Sequence, residues 1–172
     1  MTSMQAPSTG PKATRRTNVS SDTASAQTLI RNLYSRYAHT LDGGDAAGFA
    51  DCFTEDAGFH PNTGPFQPDR GRFSGREAIA SFVGATGENR PRHLVLNLWI
   101  DVRSEDTAHA TALFMLMDTT TGDLRALGEY SDDLQRGHDG AWRFSEKRVR
   151  FVWQSEAYRE RADAMVTADD RR

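Results

Sequence analysis

Two spacings of apolar residues divide this chain. From Asp22 onward Leu29, Leu33, Tyr34, Tyr37, Ala38 and Leu41 recur every three or four positions, the period of a helix with one buried face. Ser21 and Asp22 are side chains that satisfy the free N–H groups of a helix start. Asp42-Gly43-Gly44 supplies the stop, since glycine accepts the left-handed turn that ends helices. Asp45 then opens a shorter helix from Ala46 to about Phe53, burying Phe49, Cys52 and Phe53. Ala57 to His60, which includes Phe59, predicts a short strand. Pro61-Asn62-Thr63-Gly64-Pro65 and Pro68-Asp69-Arg70-Gly71 predict an irregular loop. Ser74-Gly75-Arg76-Glu77 has the S-x-x-E form of a capping box and predicts a helix with Ile79, Phe82 and Val83 inward.

Beyond Arg92 the period becomes two. Arg92–Val102, Thr107–Thr119, Leu124–Gln135 and Ala141–Trp153 read as long strands joined by short turns, which makes them antiparallel neighbours. Helices first and a curling meander second predict an α+β cone, a strongly curved antiparallel sheet with N-terminal helices packed on it and a pocket between the layers. Strict alternation along Arg92–Val102 puts Leu94, Leu96, Leu98, Ile100 and Val102 on one face. His93, Val95, Asn97, Trp99 and Asp101 then share the other, mixed face, the composition of a pocket wall. In the next strand Asp118 closes the face of Ala108, Ala110, Ala112, Phe114 and Leu116. In the last strand Trp142, Phe144, Glu146, Arg148, Arg150 and Val152 share a face, so the arginines are either solvated or a pocket cation.

The 172 residues suffice for one domain with a core. Residues 1–21, rich in Ser, Thr, Pro and basic side chains, predict a disordered tail; 22–154 the domain; and 155–172 a charged helix or tail. The balance of 21 basic and 24 acidic residues, net −3, gives no basic face for nucleic acid. No apolar run is long enough to cross a bilayer, and Arg15-Arg16 precedes no apolar stretch of a secretion signal, which predicts a cytoplasmic protein. A single cysteine, Cys52, excludes an intrachain disulfide and reads as a small core residue. The absence of H-x-x-x-H, H-E-x-x-H, a cysteine cluster, a phosphate loop and G-x-S-x-G leaves side-chain acids and bases to do any chemistry, with no metal or cofactor expected.

The run Leu33–Phe53, with Phe73-Ser74-Gly75-Arg76-Glu77-Ala78-Ile79, Arg92-His93-Leu94-Val95-Leu96-Asn97 and Asp139-Gly140-Ala141-Trp142-Arg143-Phe144, resembles SnoaL-like domains of the nuclear-transport-factor-2-like superfamily over about residues 23–153. The resemblance implies a cystatin-like cone. It extends to scytalone dehydratase, a bile-acid dehydratase and hexachlorocyclohexane dehydrochlorinase, which carry a His–Asp dyad. It implies His93 as base, Asp42 as its partner and Tyr37 as an aid to the oxyanion or leaving hydroxyl. Asp118, Arg148 (or Arg150) and His60 are implied as substrate contacts; Asn97 and Trp99, from the mixed face of their strand, and Phe59 are expected beside them. The implied activity is a cofactor-independent dehydratase acting on a small hydrophobic, polyketide- or steroid-like substrate. An isomerase or cyclase using the same pair, and a non-catalytic ligand-binding or assembly module, are the alternatives. The resemblance also implies a homodimer or higher cyclic oligomer. The chemistry is sound on its own terms: imidazole titrates near neutrality, and a carboxylate on one ring nitrogen fixes the tautomer that leaves the other free to take a proton.

Overall fold

The computed structural model describes residues 18–62, 71–85 and 90–160. Helix α1, Asn18–Gly43, starts four residues earlier than its capping signals imply, so the end of the expected disordered tail is helical; residues 1–17 lie outside the described part. Ile30, Leu33, Tyr34, Tyr37 and Leu41 bury one stripe of α1. The chain turns sharply at Gly44, whose φ of 72° is the left-handed conformation glycine adopts without strain. Helix α2, Ala46–Ala50, is short and is capped by the Asp45 carboxylate accepting from Gly48 N–H at 2.9 Å. It ends early because Phe53 already belongs to strand β1, Phe53–His60.

Strand β2, Phe73–Ser74, pairs antiparallel with β1 and leads into α3, Arg76–Ala85. The capping box expected at Ser74 does not form. Gly75 stands at the helix start, its carbonyl accepting from Ile79 N–H at 3.1 Å, and the Ser74 hydroxyl accepts from Arg72 instead. Strands β3 (Arg92–Val102), β4 (Thr107–Met117), β5 (Leu124–Arg136) and β6 (Trp142–Gln154) form the expected meander. The sheet order is β2-β1-β6-β5-β4-β3, with β1 joining β6 in parallel. The sheet stays unclosed, β2 and β3 being its edges among the described residues. Residues 156–160 make a helical turn that sets the Tyr158 ring 6.1 Å from Phe151. The remainder of the expected C-terminal helix or tail lies outside the described residues.

Bulges decide which side chains face inward. On β3, Leu96 pairs with Leu113 and Trp99 with Thr111, so Asn97 and Leu98 together oppose the single residue Ala112. Asn97 takes the extra step at φ 50°, a conformation that asparagine tolerates better than most residues. The alternation therefore reverses there: His93 and Val95 point inward, then Leu98, Ile100 and Val102. On β6, Glu146 pairs with Asp133 and Phe144 with Leu134, leaving Ser145 as an extra residue. Trp142 and Phe144 point inward before it, and Lys147, Val149 and Phe151 after it. Such bulges also bend and twist the strands that carry them, as a cone requires.

The core lies between the helices and the concave face. Tyr37 and Phe144 pack at 5.6 Å, Phe49 and Phe53 at 5.2 Å, and Phe114 stacks on Tyr130 at 4.6 Å. Truncating one such ring to alanine costs about 3–5 kcal/mol. Cys52 is fully buried, and burial pushes its thiol pKa up, which suits a packing role.

Candidate active site

Asp42 occupies the last turn of α1, on a helical stripe shared with Arg31, Ser35, Ala38 and His39. That stripe faces β3 across a groove. His93 is the second residue of β3 and, lying before the bulge, points into the same groove. Asp42 Oδ1 stands 2.5 Å from His93 Nδ1, and Asp42 Oδ2 accepts from the His93 backbone N–H at 3.0 Å. The side chains are only 7% and 12% exposed. One carboxylate thus grips a single residue twice, fixing both backbone and ring. An ionised carboxylate only accepts hydrogen bonds, so it holds the ring proton on Nδ1 and leaves Nε2 with its lone pair. Nε2 has no hydrogen-bond partner among the described residues.

The groove encloses about 740 Å³, room for a molecule of a few fused rings. Ala38, Val95 and Leu98 give it apolar wall, and Tyr34 closes its floor from α1. Its polar groups are Asp42, His93 and Arg92 at one end, with Arg31, Ser35, His39 and Asn97 elsewhere along it. Among the described residues no group of three His, Cys, Asp or Glu side chains could hold a metal ion.

Beneath the groove lies a fully buried cluster that the sequence reading missed. Lys147 Nζ donates to Asp132 Oδ2 at 2.8 Å, both side chains being wholly inaccessible. Tyr34 donates its hydroxyl to the same oxygen at 2.5 Å, and Asp132 Oδ1 accepts from Arg148 N–H at 3.1 Å. The ammonium sits 3.7 Å from the Tyr130 ring centre and 4.3 Å from that of Tyr37. Burial lowers the Lys147 pKa and the adjacent Asp132 opposes that shift. Burial above all raises the pKa of Tyr34, Tyr37 and Tyr130, keeping each a proton donor. The sequence did carry a signal for this cluster. The apolar series Trp142, Phe144 and the series Val149, Phe151 are out of phase, which marks a bulge and brings Lys147 into line with the second.

Of the remaining expected site residues, Asn97 lines the groove with His93 and the others do not. Tyr37 is buried in the core, where its ring packs against those of Phe49, Tyr130 and Phe144, and it does not line the groove; its neighbour one turn earlier, Tyr34, does. Trp99 is 72% exposed on the convex face because the bulge at Asn97 reverses the alternation. Asn97 itself edges the groove at the bulge. Asp118 closes the β4–β5 turn. It is bonded to Arg125 and accepts from Thr120 and Thr121 N–H groups, which hold its pKa down to about 2. Phe59 is a core residue within 6 Å of the Phe49, Phe53 and Phe82 rings. His60 meets Glu146 at 3.1 Å, and Arg148 meets Asp133 at 3.0 Å on the convex face. Arg148 and Arg150 instead edge a shallow convex depression of about 400 Å³.

Comparisons with known proteins bear on the fold and the family. No curated protein matches the chain. Among solved structures it is similar to Rv3472 from Mycobacterium tuberculosis, described as of unknown function: 24% identity, 90% of this chain and 94% of that one, TM-score 0.73. It is similar to a Novosphingobium aromaticivorans protein provisionally named a scytalone dehydratase: 20% identity, 80% and 91% coverage, TM-score 0.66. It is also similar to a Catenulispora acidiphila protein solved in complex with S-DNPA: 26% identity, 74% and 94% coverage, TM-score 0.64. The profile of the SnoaL-like domain matches residues 22–148, and the chain belongs to the SnoaL-like domain family.

Proposed function

We propose that this protein is a cofactor-independent lyase, a dehydratase, acting on a small and largely hydrophobic molecule with an acidic carbon beside a carbonyl group. The observation that carries the reading is the Asp42–His93 contact at 2.5 Å on the wall of a cavity of about 740 Å³. His93 Nε2 takes the proton from the carbon next to the carbonyl, and Asp42 stabilises the imidazolium that forms. The electron pair moves into the carbonyl as an enolate. It returns to expel the β-hydroxyl, which leaves as water with the proton that His93 returns. One base therefore serves both steps and the enzyme ends as it began. Tyr37 packs on Tyr130 in the core and does not reach the reacting atoms in this scheme.

An isomerase or cyclase would share the first step and differ in the fate of the enolate, so product analysis separates them: only dehydration releases water. The resemblance of the fold to a protein named for scytalone dehydratase supports the dehydratase reading. The test is a screen of β-hydroxy ketones and β-hydroxy thioesters of one to three rings, following the conjugated product by absorbance. Elimination abolished in His93→Gln with the far-ultraviolet spectrum unchanged supports the proposal. Elimination at the wild-type rate in that variant refutes it.

We also propose that the convex face pairs two copies of the chain. Leu94, Leu96, Trp99, Leu113, Val152 and Trp153 are each at least 40% exposed there, an apolar area that isolated domains seldom leave in water. Sedimentation should give twice the chain mass, and Trp99→Arg should return it to one; a wild type that stays monomeric at high concentration contradicts the pairing.

A further inference from the structure

The rim of the groove carries two guanidinium groups with no close carboxylate partner among the described residues. Over most of the surface guanidinium groups are matched: Arg36, Arg72, Arg103, Arg125, Arg143, Arg148 and Arg150 each have a carboxylate oxygen within 3.5 Å. Two arginines of the groove are different. Arg31 has no ion pair or side-chain hydrogen bond among the described residues. Arg92 reaches only Asp42, at 4.0 Å, and its side chain is 62% exposed. That Asp42 carboxylate is already engaged by the ring and backbone of His93. The arginines and carboxylate of the groove set two positive charges against one negative, in a chain whose net charge is −3.

The placement of these cations is also specific. Arg31 and Asp42 lie on one face of α1, eleven residues apart, about 16 Å along the axis at a rise of ~1.5 Å per residue. The apolar wall of Ala38, Val95 and Leu98 lies beside the path between them. A molecule seated with its reacting carbon at His93 Nε2 would run along that wall toward the Arg31 guanidinium. Guanidinium forks bind carboxylates through two parallel hydrogen bonds, a geometry an amide or ester cannot match.

We infer that the substrate carries a carboxylate at the end remote from the reacting carbon, recognised by Arg31, while Arg92, beside Asp42, adds positive charge at the other end of the groove. This inference rests on the proposed function, since it assumes that the groove beside His93 receives the substrate. It refines a hydrophobic substrate to an amphipathic one: an apolar ring body with an anionic tip.

The test is a binding measurement on the full chain, with no turnover involved. The probes are 2-naphthoate and its uncharged isostere 2-naphthamide, titrated calorimetrically at low salt. A charge-assisted hydrogen bond predicts naphthoate binding at least about tenfold tighter than the amide. Arg31→Gln should reduce naphthoate to the affinity of the amide, Arg92→Gln should reduce it by less, and added salt should narrow the difference. His93→Gln should keep the preference for naphthoate, because it removes the base and leaves the anion contacts. Equal affinity for the two probes in the wild type, a preference that survives in the double variant Arg31→Gln/Arg92→Gln, or no binding of either probe at millimolar concentration would overturn the inference. Loss of turnover in His93→Gln is read in a separate assay, so the base and the anion contact can fail independently.

Discussion

Among the described residues histidine meets carboxylate in three places, and their settings differ more than their distances. On the outer face His60 lies 3.1 Å from Glu146 and His109 lies 2.9 Å from Asp133. On the inner side His93 lies 2.5 Å from Asp42. The outer carboxylates are shared: Glu146 also meets Arg72 and Arg148, and Asp133 also meets Arg103 and Arg148. Burial works to raise the pKa of Asp133 and Glu146, but the bonds from His109 with Arg148, and from Arg72 with His60, outweigh it and hold both below the ordinary carboxylate value. Those histidines belong to a surface ion network and line neither the groove nor the convex depression. Asp42 grips His93 by both ring and backbone, with Arg92 no nearer than 4.0 Å, and that histidine faces a groove. The same two functional groups are a surface brace in one place and a base with its orienting partner in the other, and the sheet face decides which.

The largest expected effect is on that inner pair. Asp42→Asn should lower kcat/KM by about 10²–10⁴, the range for losing a positioned general base or its orienting carboxylate. Kinetics on the first compound found to turn over in the elimination screen check this, with circular dichroism confirming the fold. A loss confined to KM would mean that Asp42 shapes the pocket and does not orient the ring.

A second contrast sets the Asp42–His93 pair against Asp132–Lys147, which touches no solvent at all. Lys147→Met should destabilise the fold by about 3–5 kcal/mol, because it leaves Asp132 buried without a counter-charge. Lys147→Met with Asp132→Leu should recover most of that loss, since two apolar side chains replace a pair whose desolvation offsets its attraction. Urea unfolding of the three variants completes the cycle. A double variant as unstable as the single would show that the Tyr34 bond to Asp132 matters more than the charge.

The bulge that separates the faces is testable in the same way. Asn97→Val should cost about 1–2 kcal/mol, the strain of a β-branched residue held at positive φ. Asn97→Gly should stay within about 1 kcal/mol of the wild type. Equal stability of the two variants in urea would mean that β3 has slipped its register.

The smallest effects belong to the outer and turn carboxylates. Asp118 and Asp139 are held at about 2 by arginine bonds and backbone N–H groups. A depressed native pKa stabilises above the unfolded value of about 4 and ceases to as pH falls through the native value. Unfolding midpoints should therefore drop between about pH 4 and 2, and the drop should shrink in Asp118→Asn. An unchanged acid profile in that variant would assign the loss to other groups.

Most of the fold was legible in the sequence, because the long periodic segments and their turns are local signals. β3 was read to the residue, and β4, β5 and β6 to within two. The Asp42–His93 pair was legible only through family resemblance, since fifty residues separate the two. What the letters hid was parity. Along β3 the apolar series Leu94, Leu96, Leu98, Ile100, Val102 is unbroken, so nothing announces that Leu94 and Leu96 face out and Leu98 faces in. Trp99 was therefore placed beside His93 and stands on the opposite face. Along β6 the break in phase was visible but unread, and Arg148 was favoured over Lys147 as the inward cation. Asp118 and Phe59 failed for a plainer reason: a polar residue at a strand end serves its turn, and a phenylalanine on a central strand serves the core.

One comparison tests the whole account most directly. His93→Gln and His109→Gln each remove a histidine that rests against a carboxylate, and they differ in the face of the sheet they occupy. Measured side by side on the same substrate, kcat/KM should fall by about 10² or more in the first and stay within about twofold in the second. Equal rates in the two variants, at either level, would contradict the assignment of His93 as the base.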